Sequence, residues 1–209
     1  MPKKSEAKRR RIKEVALRVF AEKGFAKARI SEIARQAGVA DGTIYLYFQS
    51  KDDLLIRIFE EEMDGIIPQV REKVGQGRNA REKLSRFIDA HFEIVEGRPD
   101  LATVLEIELR QSNTFVRNHL KQKFKEYLDI IADIVVEGQA KGEIRQDVSP
   151  SVAKQVIFGA LDDISQNWLV LQPRKMRLSD FAPEVKRILL DGICTAPASE
   201  PSRVEAATA

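Results

Sequence analysis

Residues 38–55 read GVADGTIYLYFQSKDDLL, and three hydroxyl-bearing side chains, Thr43, Tyr45 and Tyr47, crowd its centre. Hydroxyls are compact, uncharged donors suited to phosphate oxygens. Gly42 beside them carries no Cβ, so its backbone can approach a second molecule closely. Thr43 or Leu46 could meet a thymine methyl or another base edge. On this face Asp41 is the only carboxylate, and near DNA it must cap its helix or accept from a cytosine amino group. Lys51 adds a point charge, and Arg29 and Ser31 stand where a preceding helix would turn its N-terminus toward a phosphate. The implied chemistry is duplex binding. The competing account makes Tyr45 and Tyr47 half-buried packing residues of an ordinary small helical domain.

Those side chains need elements to hold them. Ile12, Val15, Ala16, Val19 and Phe20 recur at helical spacing, and Gly24 follows as a stop. Ser31 is expected to cap a second helix, with Ile33, Ala34 and Ala37 inward, and Gly38 to end it. Asp41 or its neighbour is expected to cap a third, short helix in which Ile44 and Phe48 face inward. Helix, glycine turn and short helix outline a helix-turn-helix. Ser50 with Asp53 imitates a capping box opening a longer helix through about residue 74. Five further helices are expected, the later ones opening at about Asn113, at Ser149–Pro150 and at Ser179. The chain is thus all-α, with about nine helices. Its expected divisions are a DNA-binding unit at 1–50, a helical ligand-binding and dimerisation unit at 51–195, and a disordered tail at 196–209.

Charge divides in the same way. Residues 1–50 hold 12 Lys/Arg against 5 Asp/Glu, whereas the remainder holds 23 against 27. A basic head on a mildly acidic body points to a polyanion partner for the head alone. The N-terminus is basic but lacks the apolar core of a signal peptide. No run approaches a membrane span. The single cysteine, Cys194, fits a reducing cytoplasm.

Residues 9–55 resemble the DNA-binding domain of the TetR family of one-component bacterial repressors. The match centres on IARQAGVADGTIYLYFQSKDDLL and follows the family pattern G-(V)-x-x-G-T-(L/I)-Y-x-(Y/H)-F-x-(S/N)-K-x-x-L. The resemblance implies that Thr43, Tyr47 and Lys51 contact phosphates. It also places Asp41, Gly42, Tyr45 and Leu46 on the recognition helix, against base edges or backbone. It further implies a ligand pocket and a two-helix homodimer face in the body. For that face the sequence offers Ile157, Ala160, Leu161, Ile164, Trp168 and Leu171, with Val185, Ile188, Leu189 and Ile193.

Polar residues interrupting apolar stripes mark the candidate pocket. His91 sits amid Phe87, Ile88, Phe92 and Val95; Glu108 shares a stripe with Leu105 and Leu109; Asp162 and Asp163 interrupt the penultimate helix. Arg110, Gln111, Asn113 and Arg117 gather polarity at a helix junction. Phe87, Phe92, Phe115, Phe124, Tyr127, Phe158 and Trp168 could line an apolar tunnel for an amphiphile with an anionic head. Alternatively, each polar residue is a paired core group. His91 lacks company for a metal, with only His119 and Cys194 elsewhere.

The longer pattern, including ELRQSN, EGQAKGEI and QVIFGALDDISQNW, resembles the fatty-acid-degradation repressor (FadR-type) branch over residues 8–195. That resemblance implies a repressor of β-oxidation genes, released from operator DNA by long-chain acyl-CoA and needing no cofactor. A multidrug-efflux regulator sensing another hydrophobic ligand is the alternative. An acyl-CoA enzyme or carrier is disfavoured, since the chain has no GxSxG elbow, P-loop or HExxH.

Overall fold

The computed structural model describes the backbone of residues 3–108, 114–171 and 176–194, and the side chains of 5–105, 121–171 and 176–194. Among the described residues there are nine α-helices. Helix α1 spans Lys3–Lys23 and buries Ile12, Val15, Ala16, Val19 and Phe20. Gly24, with φ of 79°, ends it in a left-handed conformation open to glycine. Helix α2 spans Ile30–Ala37 and closes on Gly38 at φ 71°. The Gly38 and Val39 amides bond back to Arg35 and Ala34, a Schellman ending that satisfies two orphan carbonyls.

One capping expectation fails in the head. Arg29, with extended backbone and no side-chain hydrogen bond, occupies the N-cap of α2, so Ser31 lies inside the first turn. For α3, Asp41–Tyr45, the neighbour Ala40 is the N-cap, with no side-chain cap bond, and Asp41 is the first helical residue. In both cases the chain enters the helix one or two residues before the hydroxyl or carboxylate that could cap it. Ile44 and Phe48 are buried beneath α3 as expected.

Helix α4, Lys51–Gly75, joins head to body. Ser50 Oγ accepts from the Asp53 amide at 3.0 Å, but Asp53 reaches back to the Gln49 amide (2.9 Å) rather than to that of Ser50. Helix α5, Ala80–Gly97, is capped by Asn79, whose side chain accepts from the Glu82 amide, and the Glu143 carboxylate takes the Ala80 amide at 2.7 Å. After Gly97 a single turn, α6 (Pro99–Ala102), widens into a π-helical turn at Thr103–Glu108. Such wide turns gather at functional sites.

Helices α7 (Thr114–Ala140) and α8 (Pro150–Val170) form the body's main pair. Pro150 holds the first position of α8, where its missing N–H costs nothing, although Ser149 makes no side-chain cap. The last helix, α9 (Ala182–Ile193), begins later than Ser179 because a 3₁₀ turn covers Leu178–Phe181.

Of the apolar stripe expected at a dimer face, Ala160, Ile164, Trp168, Leu189 and Ile193 are half-buried in the single chain. Ile157, Leu161 and Val185 are buried, whereas Leu171 and Ile188 remain exposed. The outward apolar surface is carried by Val152, Val156, Val170, Leu171 and Ile188.

Candidate nucleic-acid interface and aromatic cluster

The recognition surface is built by exclusion. Ile44 and Phe48 take the inward face of α3, which leaves Tyr45 and Leu46 exposed at 56% and 81%. An exposed leucine on a helix this short has no packing role, so it is free to meet a partner. Asp41 and Gly42 are also exposed, and a Cβ at Gly42 would meet nothing within 4 Å. Thr43 is half-buried beside them. Arg29 and Ser31 are exposed at the start of α2. The structure thus gathers Arg29, Ser31, Asp41, Gly42, Thr43, Tyr45 and Leu46 on the head.

Tyr47 and Lys51 also make contacts within the head. The Tyr47 hydroxyl lies 3.1 Å from Ser5 Oγ, which ties α3 to the first turns of α1. Lys51 Nζ donates to the carbonyls of Phe25 (2.8 Å), Ala28 (3.1 Å) and Ala26 (3.2 Å), and stands 4.6 Å from the Phe25 ring centre. An ammonium has three protons to give. In the DNA-free chain the Lys51 ammonium thus rests on carbonyls of the turn between α1 and α2. Arg11 bonds through Nε to the Ala37 carbonyl at 2.9 Å and braces the end of α2. Such tethers cross 23 to 26 residues of chain, and no local pattern announces them.

In the body, Phe87 and His91 of α5 meet Tyr127 of α7 and Phe158 of α8, Phe124 of α7 packs on Phe158, and buried Phe92 lies beside His91 at 5.9 Å. Phe124 and Phe158 stack edge to face at 5.2 Å, Phe87 and Tyr127 approach to 5.3 Å, and His91 and Phe158 to 5.8 Å. Aromatic pairs at these separations add attraction beyond their area. His91 Nδ1 lies 3.0 Å from the Tyr127 hydroxyl and Nε2 3.3 Å from Ser165 Oγ. Burial pushes the imidazole down to about 4, so it is neutral at pH 7. Both hydroxyls can donate or accept, and either tautomer is satisfied.

Leu105 packs partly buried against the core, and buried Asp162 accepts from Gln166 Nε2 at 2.8 Å. Trp168 donates to the Met176 carbonyl (2.9 Å) and lies about 15 Å along α8 from Phe158. It belongs to the other end of that helix. Glu108 falls in the π-helical turn and Arg117 in α7, while their side chains, like that of Phe115, lie outside the described residues. Leu109, Arg110, Gln111, Asn113 and the tail from 196 lie outside them altogether. No group of three or more His, Cys, Asp or Glu side chains among the described residues could hold a metal ion.

Head and body meet across a cleft of about 290 Å³ lined by Arg10, Lys13, Glu14, Leu17, Ile58, Glu61, Glu62 and Arg98. Glu61 is bonded by both Arg9 and Lys13 of α1. Burial alone would push its carboxyl up, but these two cations outweigh that and hold it below its ordinary range. Arg9 also stands 5.8 Å over the Phe48 ring, joining the underside of α3 to the same network.

A three-helix basic head with an exposed hydroxyl-rich short helix, coupled through one long helix to an α-helical body, defines a DNA-binding regulator class, and this chain belongs to it as a member of the bacterial regulatory proteins of the tetR family. Residues 12–58 match that family's model, and residues 59–192 match the C-terminal region of YsiA-like proteins, the division falling within α4. Among relatives, the chain is 39% identical to the fatty acid metabolism regulator protein of Bacillus subtilis, over 91% of this chain and 98% of that one. The crystal structure of the transcriptional regulator FadR from B. subtilis with stearoyl-CoA aligns with a TM-score of 0.82 and 40% identity, covering 88% and 98% of the two chains. FadR from Bacillus halodurans aligns at 0.83 with 38% identity, covering 88% and 95%. No helix among the described residues is long and apolar enough to cross a membrane.

Proposed function

We propose that the protein is a dimeric, operator-binding repressor of fatty-acid degradation genes that releases DNA when long-chain acyl-CoA occupies its body. The observation that carries this reading is the aromatic cluster of α5, α7 and α8 in a chain so similar to a fatty acid metabolism regulator. Its similarity to a regulator crystallised with stearoyl-CoA supplies the ligand class. Each methylene buried there would contribute about 0.8 kcal/mol, so chain length is read strongly.

Phe87, His91, Phe92, Leu105, Phe124, Tyr127 and Phe158 are the wall residues in this reading. The CoA phosphates would meet cations at the mouth, with Arg110, Arg117 and exposed Lys121 as the candidates. Lys125 is a poorer one, since Asp129 holds its ammonium at 2.5 Å. Ligand entry acts through α4, and it shifts DNA affinity only by its differential affinity for the two head arrangements.

Val152, Val156, Val170 and Ile188 would pair with a twofold mate, placing two recognition helices on half-sites about 34–36 Å apart. The protein works in the cytoplasm as a binding protein without catalysis or cofactor. The test is a mobility-shift titration on duplexes from upstream of β-oxidation genes, with acyl-CoAs of graded length. Long-chain acyl-CoA should release the duplex, while free CoA and short chains should not. Equal release by all three would reject the acyl-reading body.

A further inference from the structure

The first turns of α1 meet the chain just beyond α3 through a hydrogen bond. Ser5 Oγ lies 3.1 Å from the Tyr47 hydroxyl, across 42 residues of sequence. Four residues on, and so on the same face of α1, Arg9 stands over the Phe48 ring at 5.8 Å. One turn further, Lys13 joins Arg9 on Glu61 of α4. This face holds α1 against the end of the recognition segment and against α4, with Ser5 at its outer end. The Tyr47 ring packs partly buried against the core and is tilted on Phe48 at 6.4 Å, which leaves the hydroxyl as its polar edge.

A phenol has one proton to give and can also accept. A Tyr47 that donates to Ser5 keeps no proton for a phosphate. A Tyr47 that accepts from Ser5 has its own proton turned outward. We infer that Ser5 is a positioning residue for DNA binding: its hydroxyl donates to Tyr47 and directs the phenolic proton to a phosphate oxygen of the duplex. Ser5 itself touches no phosphate. This rests on the reading of the head as the operator-binding unit, with Tyr47 at a phosphate. The sense of the bond follows from charge, since a donor bonds more strongly to an anionic oxygen than to a neutral hydroxyl. Each bond in such a chain also polarises the next.

The test measures affinity by fluorescence anisotropy for a duplex enriched by wild-type protein from a randomised pool. Enrichment of no sequence would reject the operator-binding reading itself. Given an enriched duplex, Tyr47→Phe should lose about tenfold in affinity, the scale of a hydrogen bond to a charged group. Ser5→Ala should lose about threefold, and nothing further once Tyr47→Phe is present. Ser5→Thr, which keeps the hydroxyl, should bind as wild type does. Losses that add in the double variant would make Ser5 a structural residue of α1 and overturn the inference. Unchanged affinity in Tyr47→Phe or in Ser5→Ala would overturn it too.

A second measurement locates the phosphate. Phosphates of the enriched duplex are replaced one at a time by neutral methylphosphonate. At one position in each half-site, wild type should lose affinity while Tyr47→Phe and Ser5→Ala both lose less. A position that spares Tyr47→Phe but weakens Ser5→Ala as much as wild type would leave Ser5 outside the contact and contradict the assignment.

Discussion

Arg98 grips Glu62 with both terminal nitrogens, at 2.5 and 3.0 Å, while the adjoining carboxylate, Glu61, belongs to Arg9 and Lys13 of α1. Two successive residues of α4 are thus fastened to different parts of the molecule, one to the head and one to the corner between α5 and α6. That corner leads into the π-helical turn at Thr103–Glu108, which packs on α1 and α8. Exposed pairs of this kind contribute at most about 1 kcal/mol. Coupling between sites amounts to about 1–3 kcal/mol, so even this much is a large share of a ligand response. In Arg98→Gln, the ratio of operator affinities without and with stearoyl-CoA should shrink by up to about fivefold. The exchanged pair Arg98→Glu with Glu62→Arg should recover it, as measured by fluorescence anisotropy. Equal ratios in wild type and Arg98→Gln would remove the pair from the coupling route.

Leu46 and Tyr45 have no core to lose, so their replacement by alanine should leave thermal stability unchanged. Sequence discrimination should fall by about 1–3 kcal/mol per base contact, while the salt slope stays constant. Replacing exposed Lys8 by alanine should do the reverse if it meets a phosphate, lowering the slope by about 0.9 on every duplex. Competition binding across a salt series separates the two patterns.

The buried imidazole of His91 makes stability depend on pH. Its folded value of about 4 lies below the 6.5 of an unhindered histidine, so the unfolded chain binds more protons between those values. Stability should therefore be full above about pH 6.5 and decline as pH falls toward 4, by about 3 kcal/mol in total. Glu82 and Glu137, each held down to about 2, lose their contributions only at lower pH. Between pH 7 and 5, His91→Gln should show a flatter melting curve against pH than wild type, although a lower one. A parallel decline in both proteins would assign the acid sensitivity elsewhere.

Gly138 lies in α7 where a Cβ would stand 2.6 Å from Ala80 Cβ and 2.8 Å from Ile144 Cδ1. Gly138→Ala should gain up to about 1 kcal/mol in helix propensity but lose more to overpacking, about 1–3 kcal/mol. The expected outcome is a lower melting temperature. Gly159→Ala, with open space at its Cβ in the single chain, is the matched comparison and should raise it.

Val156 and Ile188 are exposed at 55% and 66% on the two helices proposed to meet a twofold mate. Glutamate at either position should leave the monomer folded, yield a single-chain mass in sedimentation, and abolish cooperative operator binding. A dimer that survives both changes would move the interface to another face.

Much of the architecture is legible in one dimension because it is local. Helical spacing at Ile12–Phe20 and at Leu84–Val95, left-handed glycines at 24 and 38, and Pro150 at a helix start each depend on residues within a few positions of one another. The recognition helix was readable for the same reason: placing Ile44 and Phe48 inward forces Tyr45 and Leu46 outward. The cap of α2 is less legible, Arg29 standing where Ser31 is expected, since the point at which a chain enters a helix depends on what the turn before it must touch.

By itself, then, the sequence determined the helices, the outward face of α3 and, through its length of matching pattern, the family. Tertiary structure alone decided what the charged and polar side chains do. Lys51 and Arg11 turned inward onto backbone carbonyls, Glu61 and Glu62 found different partners, and the valines of α8 rather than its larger residues were left facing out. The reason is the range of the interactions: periodicity is set between neighbours along the chain, whereas an ammonium or a carboxylate settles on whichever distant group the folded backbone brings within reach.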